Sequence, residues 1–193
     1  FGEYVRRILF EPCGMTRSGY HLTPELGACM AKQYRYREET RTAEPGTMSN
    51  EYVFGSEYES GGAGMISCVE DYMRFLNMLC AGGVTSGGDR VLSSRTIDLM
   101  RINQLSPVQM RDFDWPHFSG YGYGLGVRTM VDPAEGGSLS PVGEYGWSGA
   151  AGAFALVDPC NHLTVYYAQH MLNNQEPYLH PRLRNVLYAA LTD

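Results

Sequence analysis

The sequence predicts an α+β fold in which helices come first, antiparallel strands follow and a final helix closes the chain. In the first half, apolar residues recur at helical spacing, whereas from Tyr121 they alternate at the period of a strand. Helical and strand patterns do not alternate with each other, as they would around a parallel sheet. The 193 residues fit one domain. We divide it into a helical and loop part, residues 1–119, and a sheet with the terminal helix, residues 120–193.

Charge and composition exclude several classes of function. Lys and Arg total 15 against 21 for Asp and Glu, a formal charge of −6 that disfavours nucleic acid as a partner. No apolar run approaches the roughly 18 residues that a membrane span needs. The five cysteines form no CxxC pair and no histidine lies at ligand spacing from a cysteine, so we predict no metal and no cofactor. The odd number of cysteines favours reduced thiols and leans towards the cytoplasm.

The first helical pattern opens the chain. Apolar residues within 4–9 recur at helical spacing and run into Pro12. Because the chain starts inside this pattern without a methionine, we expect a fragment of a longer protein. Residues 16–62 show little periodicity and predict a long surface excursion with one short strand at residues 31–36.

Two further helices are predicted after this excursion. Ser67 and Glu70 match a capping box for the first of them, and Gly82-Gly83 ends it. Its apolar stripe comprises Tyr72, Phe75, Leu76, Leu79 and Cys80. Ser93 or Ser94 caps the second helix. Its predicted buried face comprises Ile97, Leu99, Met100 and Ile102.

The second half predicts three adjacent antiparallel strands in one sheet, Tyr121–Val127, Gly146–Leu156 and Leu163–His170. A turn at residues 158–161 joins the last two. The final helix is predicted to start with Pro181 at its first position and to pack on one face of the sheet. Its predicted inner face comprises Val186, Leu187 and Leu191.

Several short segments in a particular order carry a resemblance to a known family. They are Phe10–Thr16, Gly61–Ser67, Asp71–Phe75, Gly122–Gly126 and Tyr145–Gly152. Together they resemble the C-terminal part of the serine β-lactamase-like family, which includes class C β-lactamases, DD-peptidases, D-aminopeptidases and related esterases. The resemblance covers nearly the whole chain. It implies the C-terminal portion of a β-lactamase/transpeptidase-like fold, an antiparallel sheet flanked by helices, in an incomplete form.

The resemblance also implies roles for one short segment. Trp147-Ser148-Gly149 resembles the family's third active-site motif, on a strand beside the catalytic serine, so these three residues are candidate substrate-binding residues. By the same alignment, the resemblance implies that the main-chain N–H of Ala150 is one of two oxyanion-hole donors. This N–H is the predicted catalytic group of the chain. A strand edge offers such a donor rigidly, and Gly149 lets a substrate approach the backbone closely.

The family's other two motifs are absent from this sequence. No tyrosine has an asparagine two residues later, and Lys32, the one lysine, follows Cys29 where the Ser-x-x-Lys motif has serine. The resemblance implies that both motifs lie upstream, so an N-terminal segment of the same protein is a predicted partner. We therefore expect this chain alone to be inactive.

The residues themselves leave alternatives open. Trp147 also fits a core aromatic residue whose N–H is satisfied, and Gly149 with Ala150 also fits a small-residue packing patch. Because tryptophan supplies no positive charge where lysine is expected, an esterase or amidase with an apolar acyl pocket is favoured over an enzyme that grips a carboxylate. Anion binding at the last helix is a further possibility, although a solvated helix end is the favoured interpretation. The residues concerned are His180, Arg182 and Arg184.

The predicted function is that of a serine hydrolase that forms an acyl-enzyme on an ester, an amide or a β-lactam, with a small-molecule or peptide substrate. In this interpretation the chain supplies the third motif and an oxyanion-hole amide but not the nucleophile. The alternative is a non-catalytic penicillin-binding-type or peptide-binding module that keeps the sheet edge without the chemistry.

Overall fold

A computed structural model describes residues 1–46 and 58–192 and shows a five-stranded antiparallel sheet covered by a helix on each face. The helices are α1 (Gly2–Val5), α2 (Glu11–Cys13), α3 (Pro24–Ala28), α4 (Val69–Cys80), α5 (Ser94–Met100), α6 (Pro107–Asp112) and α7 (Glu176–Ala189). A π-helical turn (Arg6–Phe10) joins α1 to α2, and a 3₁₀ turn (Pro116–Phe118) precedes the sheet. The strands are β1 (Tyr34–Arg37), β2 (Thr42–Pro45), β3 (Tyr121–Tyr123), β4 (Arg128–Met130), β5 (Tyr145–Ser148), β6 (Phe154–Asp158), β7 (Leu163–Tyr167) and β8 (Met171–Leu172).

The main sheet has the strand order β3-β4-β5-β6-β7, and every neighbouring pair is antiparallel. The α+β class and the antiparallel sheet are therefore confirmed, including the pairing of the last two strands. Two predicted strands were wrong in extent. Tyr121–Val127 is a strand only to Tyr123 and then turns back into β4, so β3 does not adjoin β5. Gly146–Leu156 contains β5, a tight turn and β6. Alternation of residue types continues through a tight turn, so the period alone does not reveal the reversal.

Glycines give β3 one bare face because another segment of backbone lies against it. Residues 100–104 follow α5 and run along the edge of β3, where Gln104 N donates to the Tyr123 carbonyl at 2.8 Å. A Cβ atom on Gly122 would lie 2.5 Å from the Asn103 side chain, and one on Gly124 would lie 2.0 Å from the Met100 carbonyl oxygen. The glycines therefore leave room for residues 100–104 to pack closely against β3.

A small second sheet forms from the long excursion. Its order is β2-β1-β8, with β1 antiparallel to β2 and parallel to β8. The short strand expected at residues 31–36 is β1, displaced towards the C-terminus, and the excursion also contains α3 and β2. The part of the excursion at residues 47–57 lies outside the described residues.

The layers on the main sheet follow from the alternation within β6. Ala155 and Val157 face the core that α4 covers, through Leu76, Met78 and Leu79. Phe154 and Leu156 face the opposite side, where Tyr188 of α7 packs on them. The apolar stripe predicted for α4 is confirmed, since each of its members belongs to the core cluster or packs against it.

Helix caps and faces needed several corrections. Cys68, not Ser67, is the N-cap of α4, and the Ser67 hydroxyl instead bonds that of Ser18 at 2.8 Å. Ser93 caps α5 by accepting a hydrogen bond from Thr96 N, as predicted. Ile97 is buried there, but two residues assigned to the same buried face, Leu99 and Ile102, are 52% and 55% exposed.

The last helix starts five residues earlier than predicted. It begins at Glu176 with Pro177 in its first turn, so Pro181 lies inside the helix. The predicted apolar inner face was wrong for two of its three residues, because Val186 is 67% and Leu191 is 44% exposed, whereas Leu187 is half-buried. The buried residues are instead His180, Arg184 and Tyr188. They follow one another at intervals of four, so one face of α7 meets the sheet with polar side chains.

The centre of the contact between α7 and the sheet is a buried polar cluster. Arg128 Nη2 lies 3.4 Å from Glu144 Oε1, and both side chains are almost fully inaccessible. The hydroxyl of Tyr121 donates to the other oxygen of Glu144 and accepts from Arg184 Nη1 at 2.7 Å. Burial, together with the neighbouring Glu144, raises the pKa of Tyr121 far above its ordinary value, so the phenol stays protonated and available as a donor. Arg184 thereby joins α7 to the ion pair of the sheet.

No helix among residues 1–46 and 58–192 has both the length and the apolar character that crossing a bilayer requires.

We predict that Glu144→Ala destabilises the protein by about 3–5 kcal/mol, because it leaves Arg128 buried without its counter-charge. The measurement is the free energy of unfolding in urea at neutral pH. The matched control is Glu135→Ala, an exposed glutamate in the β4–β5 connection, which should change that free energy by less than about 0.5 kcal/mol. Equal effects of the two substitutions would contradict the structural role of the cluster.

Candidate functional site

The predicted third motif lies where β5 ends. Trp147 and Ser148 are the last two residues of β5 and pair with Ala155 and Phe154 of β6. Gly149 then opens the connection to β6, which we call the 149–153 turn. Its first hydrogen bond runs from Gly149 N to the Ala153 carbonyl at 2.8 Å. The motif therefore passes from a rigid strand into a tight turn at the edge of the sheet.

The orientation of the Ala150 N–H follows from the planarity of its peptide group. Gly152 N donates to the Gly149 carbonyl at 2.8 Å, so that carbonyl points into the turn. The peptide bond is trans, and therefore the N–H of Ala150 points the opposite way, out of the turn. Ala150 is exposed, and within residues 1–46 and 58–192 its N–H donates to no acceptor. This donor is available to an external oxygen atom.

The 149–153 turn is anchored from outside through three consecutive carbonyl groups. The pairs are Asn174 Nδ2 to the Ala150 oxygen at 3.1 Å, Met171 N to the Ala151 oxygen at 2.8 Å and His180 Nε2 to the Gly152 oxygen at 3.0 Å. Gly152 adopts a φ of +90°, and a Cβ atom there would lie 2.1 Å from Gln169 Oε1, so only glycine fits. The donors come from β8 and from the start of α7, which makes the turn dependent on the C-terminal part of the chain.

Trp147 is half-buried and belongs to an aromatic cluster. Its ring centroid lies 5.4 Å from that of Phe118 and 5.3 Å from that of Tyr123. Phe113 packs against the same cluster, and the exposed Trp115 stacks on Phe118 at 5.5 Å. The indole N–H of Trp147 has no acceptor in the described part of the chain, unlike the satisfied N–H of the core alternative. The half-buried rings of Trp147 and Tyr123, with the exposed Trp115, form an aromatic surface near the end of β5.

Ser148 contacts a group of titratable side chains that the sequence did not single out. Its Oγ lies 3.3 Å from Nδ1 of His180, and Glu176 Oε1 lies 3.5 Å from the same nitrogen. His117, in the 3₁₀ turn, places Nε2 3.4 Å from Glu176 Oε1. Ser148 and Glu176 thus face one nitrogen of the imidazole while the other faces the Gly152 carbonyl. A nucleophilic triad requires the serine and the acid on opposite nitrogens, so Ser148 is not arranged as a nucleophile.

The carboxylate of Glu176 is held ionised by its neighbours. Burial opposes ionisation, but hydrogen bonds from His117, His180 and Ser148 outweigh it and lower the pKa of Glu176 to about 2. The one sequence signal for this contact was the spacing of Glu176 and His180, four apart at a helix start. His117 gave no signal, because it comes from a loop distant in sequence.

The interpretation of the last helix as a solvated end was wrong for two of its three residues. His180 and Arg184 are each only 3% exposed, because they are engaged with the 149–153 turn and with Tyr121. Arg182 is exposed, but its guanidinium lies 3.7 Å from the Tyr178 ring centroid and donates to the Tyr178 carbonyl. The three basic side chains therefore do not converge on a common anion site.

The fold and this site define a class of protein. The family model described as Beta-lactamase matches residues 1–190, and the chain belongs to this family. The predicted resemblance to the serine β-lactamase-like family is therefore confirmed.

Particular relatives include two curated proteins of Mycobacterium tuberculosis, "Uncharacterized protein MT1414" of strain CDC 1551 / Oshkosh and "Protein Rv1367c" of strain H37Rv. Each is 32% identical over 170 residues, which cover 86% of this chain and 42% of the relative. The chain thus spans less than half the length of the curated relatives that it matches.

Solved structures with the same fold include simvastatin synthase (LovD) from Aspergillus terreus, with a TM-score of 0.83 and 20% identity over 100% of this chain and 51% of that one. EstCE1, titled a hydrolase with promiscuous acyltransferase activity, has a TM-score of 0.78 and 18% identity over 97% of this chain and 50% of that one. A penicillin-binding protein homologue from Pyrococcus abyssi has a TM-score of 0.67 and 21% identity, over 97% of this chain and 37% of that one. At these identities the likeness shows the fold alone.

We predict that Glu176→Gln flattens the acid limb of the stability profile. The folded-state pKa of about 2 lies below the ordinary value of 4.5, so the ionised carboxylate stabilises the fold above pH 4.5. This contribution is lost as the pH falls from 4.5 towards 2. The measurement is the free energy of unfolding at pH 5.0 and at pH 2.5. Wild-type protein and the exposed control Glu135→Gln should lose more stability between these pH values than Glu176→Gln, and an equal loss in all three would contradict the assignment.

Proposed function

We propose that this chain forms the third-motif side of a serine hydrolase active site that acylates a serine with an ester, an amide or a β-lactam. The observation that carries the proposal is the Ala150 N–H, which points out of the 149–153 turn without an acceptor in the described residues. Most amides of a folded chain are paired, so an unpaired amide on an anchored turn is suited to an external oxyanion. Family membership adds support independently.

In the proposed reaction, a serine hydroxyl from another segment attacks the substrate carbonyl carbon and gives its proton to a base. The carbonyl π electrons move to the oxygen, which becomes an oxyanion held by the Ala150 N–H and by a second amide. Collapse of this intermediate expels the protonated leaving group and leaves the acyl-enzyme. Water then attacks the ester in the same way and releases the acid and the free serine.

We place the nucleophile on a different segment of the same protein. This sequence has no Ser-x-x-Lys and no Tyr-x-Asn, and the chain spans 42% of each curated relative. Ser148, the serine of the third motif, shares one nitrogen of His180 with Glu176 and so has no base on its own side. Its role in this proposal is to contact the substrate next to Gly149.

The aromatic cluster around Trp147 favours substrates with an apolar acyl group. The half-buried rings of Trp147 and Tyr123, 5.3 Å apart, and the exposed ring of Trp115 form an apolar surface near the end of β5 around the buried Phe118. Burial of an acyl chain there contributes about 25 cal/mol for each Å² of apolar surface removed from water. An ester or amide of this kind fits the surface better than a substrate gripped through its carboxylate.

The second candidate is a non-catalytic penicillin-binding-type or peptide-binding module. It is favoured by one observation, the lack of a Ser-x-x-Lys in this sequence. In this case the free N–H of Ala150 and the edge of the sheet would bind a peptide or lactam carbonyl without forming a covalent bond.

Covalent labelling separates the two candidates. We expect no adduct when this chain alone is treated with a fluorophosphonate or a penicillin and its intact mass is measured, because the sequence has no Ser-x-x-Lys and Ser148 has no base arranged opposite an orienting acid. Co-expression with the preceding segment of the protein should give a stoichiometric adduct on that segment. Ser148→Ala should not abolish acylation of the other segment. A stable adduct on any serine of this chain alone would overturn the division of roles, and reversible binding without an adduct in the co-expressed protein would favour the non-catalytic module.

A backbone substitution tests the oxyanion role of Ala150 itself. Replacing Ala150 by lactic acid changes its N–H to an ester oxygen and removes one donor without changing the side chain. In the acylation-competent protein we expect kcat to fall about 10²–10³-fold, as it does when one oxyanion donor is removed. The same replacement at Ala151, in the same turn, is the matched control and should lower kcat far less. Equal losses at both positions would contradict the assignment.

A further inference from the structure

We propose that His180, oriented by Glu176, is a positioning residue that holds the 149–153 turn in the conformation that presents the Ala150 N–H. The inference rests on the proposed function in one respect only, that this N–H serves an oxyanion. The contacts that carry it are those of one imidazole ring that connects α7 to both sides of the turn.

His180 contacts the turn at its two ends. Its Nδ1 lies 3.3 Å from Ser148 Oγ, directly before the turn, and its Nε2 donates to the Gly152 carbonyl at 3.0 Å, near the end of the turn. A rigid ring that contacts both ends fixes the distance between them. Phe154 and Tyr167 pack on the ring at centroid distances of 4.9 and 6.3 Å, so the imidazole has little freedom to rotate.

The turn has few contacts of its own. Two backbone hydrogen bonds close it, Gly149 N to the Ala153 oxygen and Gly152 N to the Gly149 oxygen. The second of these sets the plane of the peptide that contains the Ala150 N–H. Gly152 lies in the positive-φ region, where glycine has the greatest conformational freedom to lose. A hydrogen bond on the Gly152 carbonyl therefore restrains the residue whose N–H orients the oxyanion donor.

His180 is the best-anchored of the three external donors to the turn. Asn174 and Met171 lie on the short β8 and the connection after it, and both are only partly buried. His180 is 3% exposed and lies one helical turn before Arg184, which is fixed in the buried cluster. The position of α7 on the sheet is thereby transmitted to the turn through a buried side chain, in addition to the less buried Asn174, which accepts from Glu176 N and donates to the Ala150 carbonyl.

Glu176 determines how the imidazole is oriented. The Gly152 carbonyl can only accept, so Nε2 of His180 is the donor on that side of the ring, and Glu176 Oε1 lies 3.5 Å from Nδ1 on the other side. These two acceptors on opposite sides of the ring exclude the flipped orientation, in which carbon atoms would face them. His117 in the 3₁₀ turn and Ser148 in β5 contribute the remaining contacts to the Glu176 carboxylate, and Tyr167 is the titratable group that faces the ring from β7.

The functional consequence is a selective loss of kcat. An oxyanion donor acts only when it lies within hydrogen-bond distance of the developing charge, and a misplacement of about 1 Å costs about 10²-fold in rate. We expect His180→Ala to lower kcat about 10²-fold while KM changes less than about threefold, since the substrate-facing ring of Trp147 is not altered. His180→Gln keeps one N–H for the Gly152 carbonyl and should retain activity within about tenfold of wild type. Glu176→Gln should fall between the two.

The experiment has a kinetic part and a structural part. Ester hydrolysis by the acylation-competent protein is measured with an apolar p-nitrophenyl ester for wild type, His180→Ala, His180→Gln and Glu176→Gln. The matched control is His162→Asn, an exposed histidine in the β6–β7 turn with a φ of +52°, which asparagine tolerates. In the structural part, ¹⁵N relaxation of this chain gives the backbone order parameters of Ala150 and Ala151.

Both parts have defined outcomes. We expect order parameters near 0.85 in wild type and His162→Asn, and below about 0.6 at Ala150 in His180→Ala, with β6 unchanged. Unchanged order parameters in His180→Ala would overturn the positioning role. If His180→Ala does not fold, the result for His180→Gln decides. A wild-type kcat together with an order parameter below about 0.6 at Ala150 would contradict the proposal. A wild-type protein that hydrolyses no ester, amide or lactam would refute the proposed function, while the order parameters would still decide whether His180 holds the turn.

Discussion

The buried ion pair of Arg128 and Glu144 is the contact on which the arrangement of α7 against the sheet depends. Each charge is removed from water and is tolerable only because the other is present, with one further hydrogen bond from Tyr121 to Glu144 and one from Arg128 to the Ala155 carbonyl. Tyr121 extends the pair to Arg184 of α7. An apolar helix face slides and rotates on a sheet at small energetic cost, whereas a face tied to a buried charge pair has one register. The ion pair therefore determines where the first turns of α7 lie.

The same face of α7 links structure to chemistry. Glu176, His180, Arg184 and Tyr188 succeed one another at intervals of four, and each meets a different part of the sheet. Tyr188 donates to Asp158 at the end of β6, Arg184 reaches the ion pair, and His180 reaches the 149–153 turn. Arg184 and Tyr188, at the C-terminal end of this series, make the contacts that hold α7 on the sheet. His180, nearer its N-terminal end, contacts the turn that carries the candidate oxyanion donor. The helix acts as a rigid connection between them.

The sequence predicted the class of the fold better than its details. The stripe on α4 and the cap at Ser93 were correct because both depend on residues close together in the chain. The inner face of α7 was missed because burial of polar residues depends on partners far away in sequence, such as Glu144 for Arg184 through Tyr121. The turn after Tyr123 was missed because glycine-rich alternation continues through it. The family motifs predicted a third motif at residues 147–149, but they gave no sign of the contact between Glu176 and His117, which joins the start of α7 to a 3₁₀ turn far away in sequence.

Because the polar contacts of α7 recur at intervals of four residues, insertions and deletions within the helix disturb its packing on the sheet more than substitutions on its exposed face do. Inserting or deleting one residue between His180 and Arg184 rotates the helix on one side of the change by about 100° relative to the other side. His180 and Arg184 would then no longer face the sheet together, so either the turn or the ion pair would lose its partner. Substitutions on the exposed face, at Val186 or Arg182, do not change the angle between His180 and Arg184 around the helix axis. Descendants of this chain are therefore free to vary the outer surface of α7 extensively, whereas its residue count from 176 to 188 can change only together with the sheet beneath it.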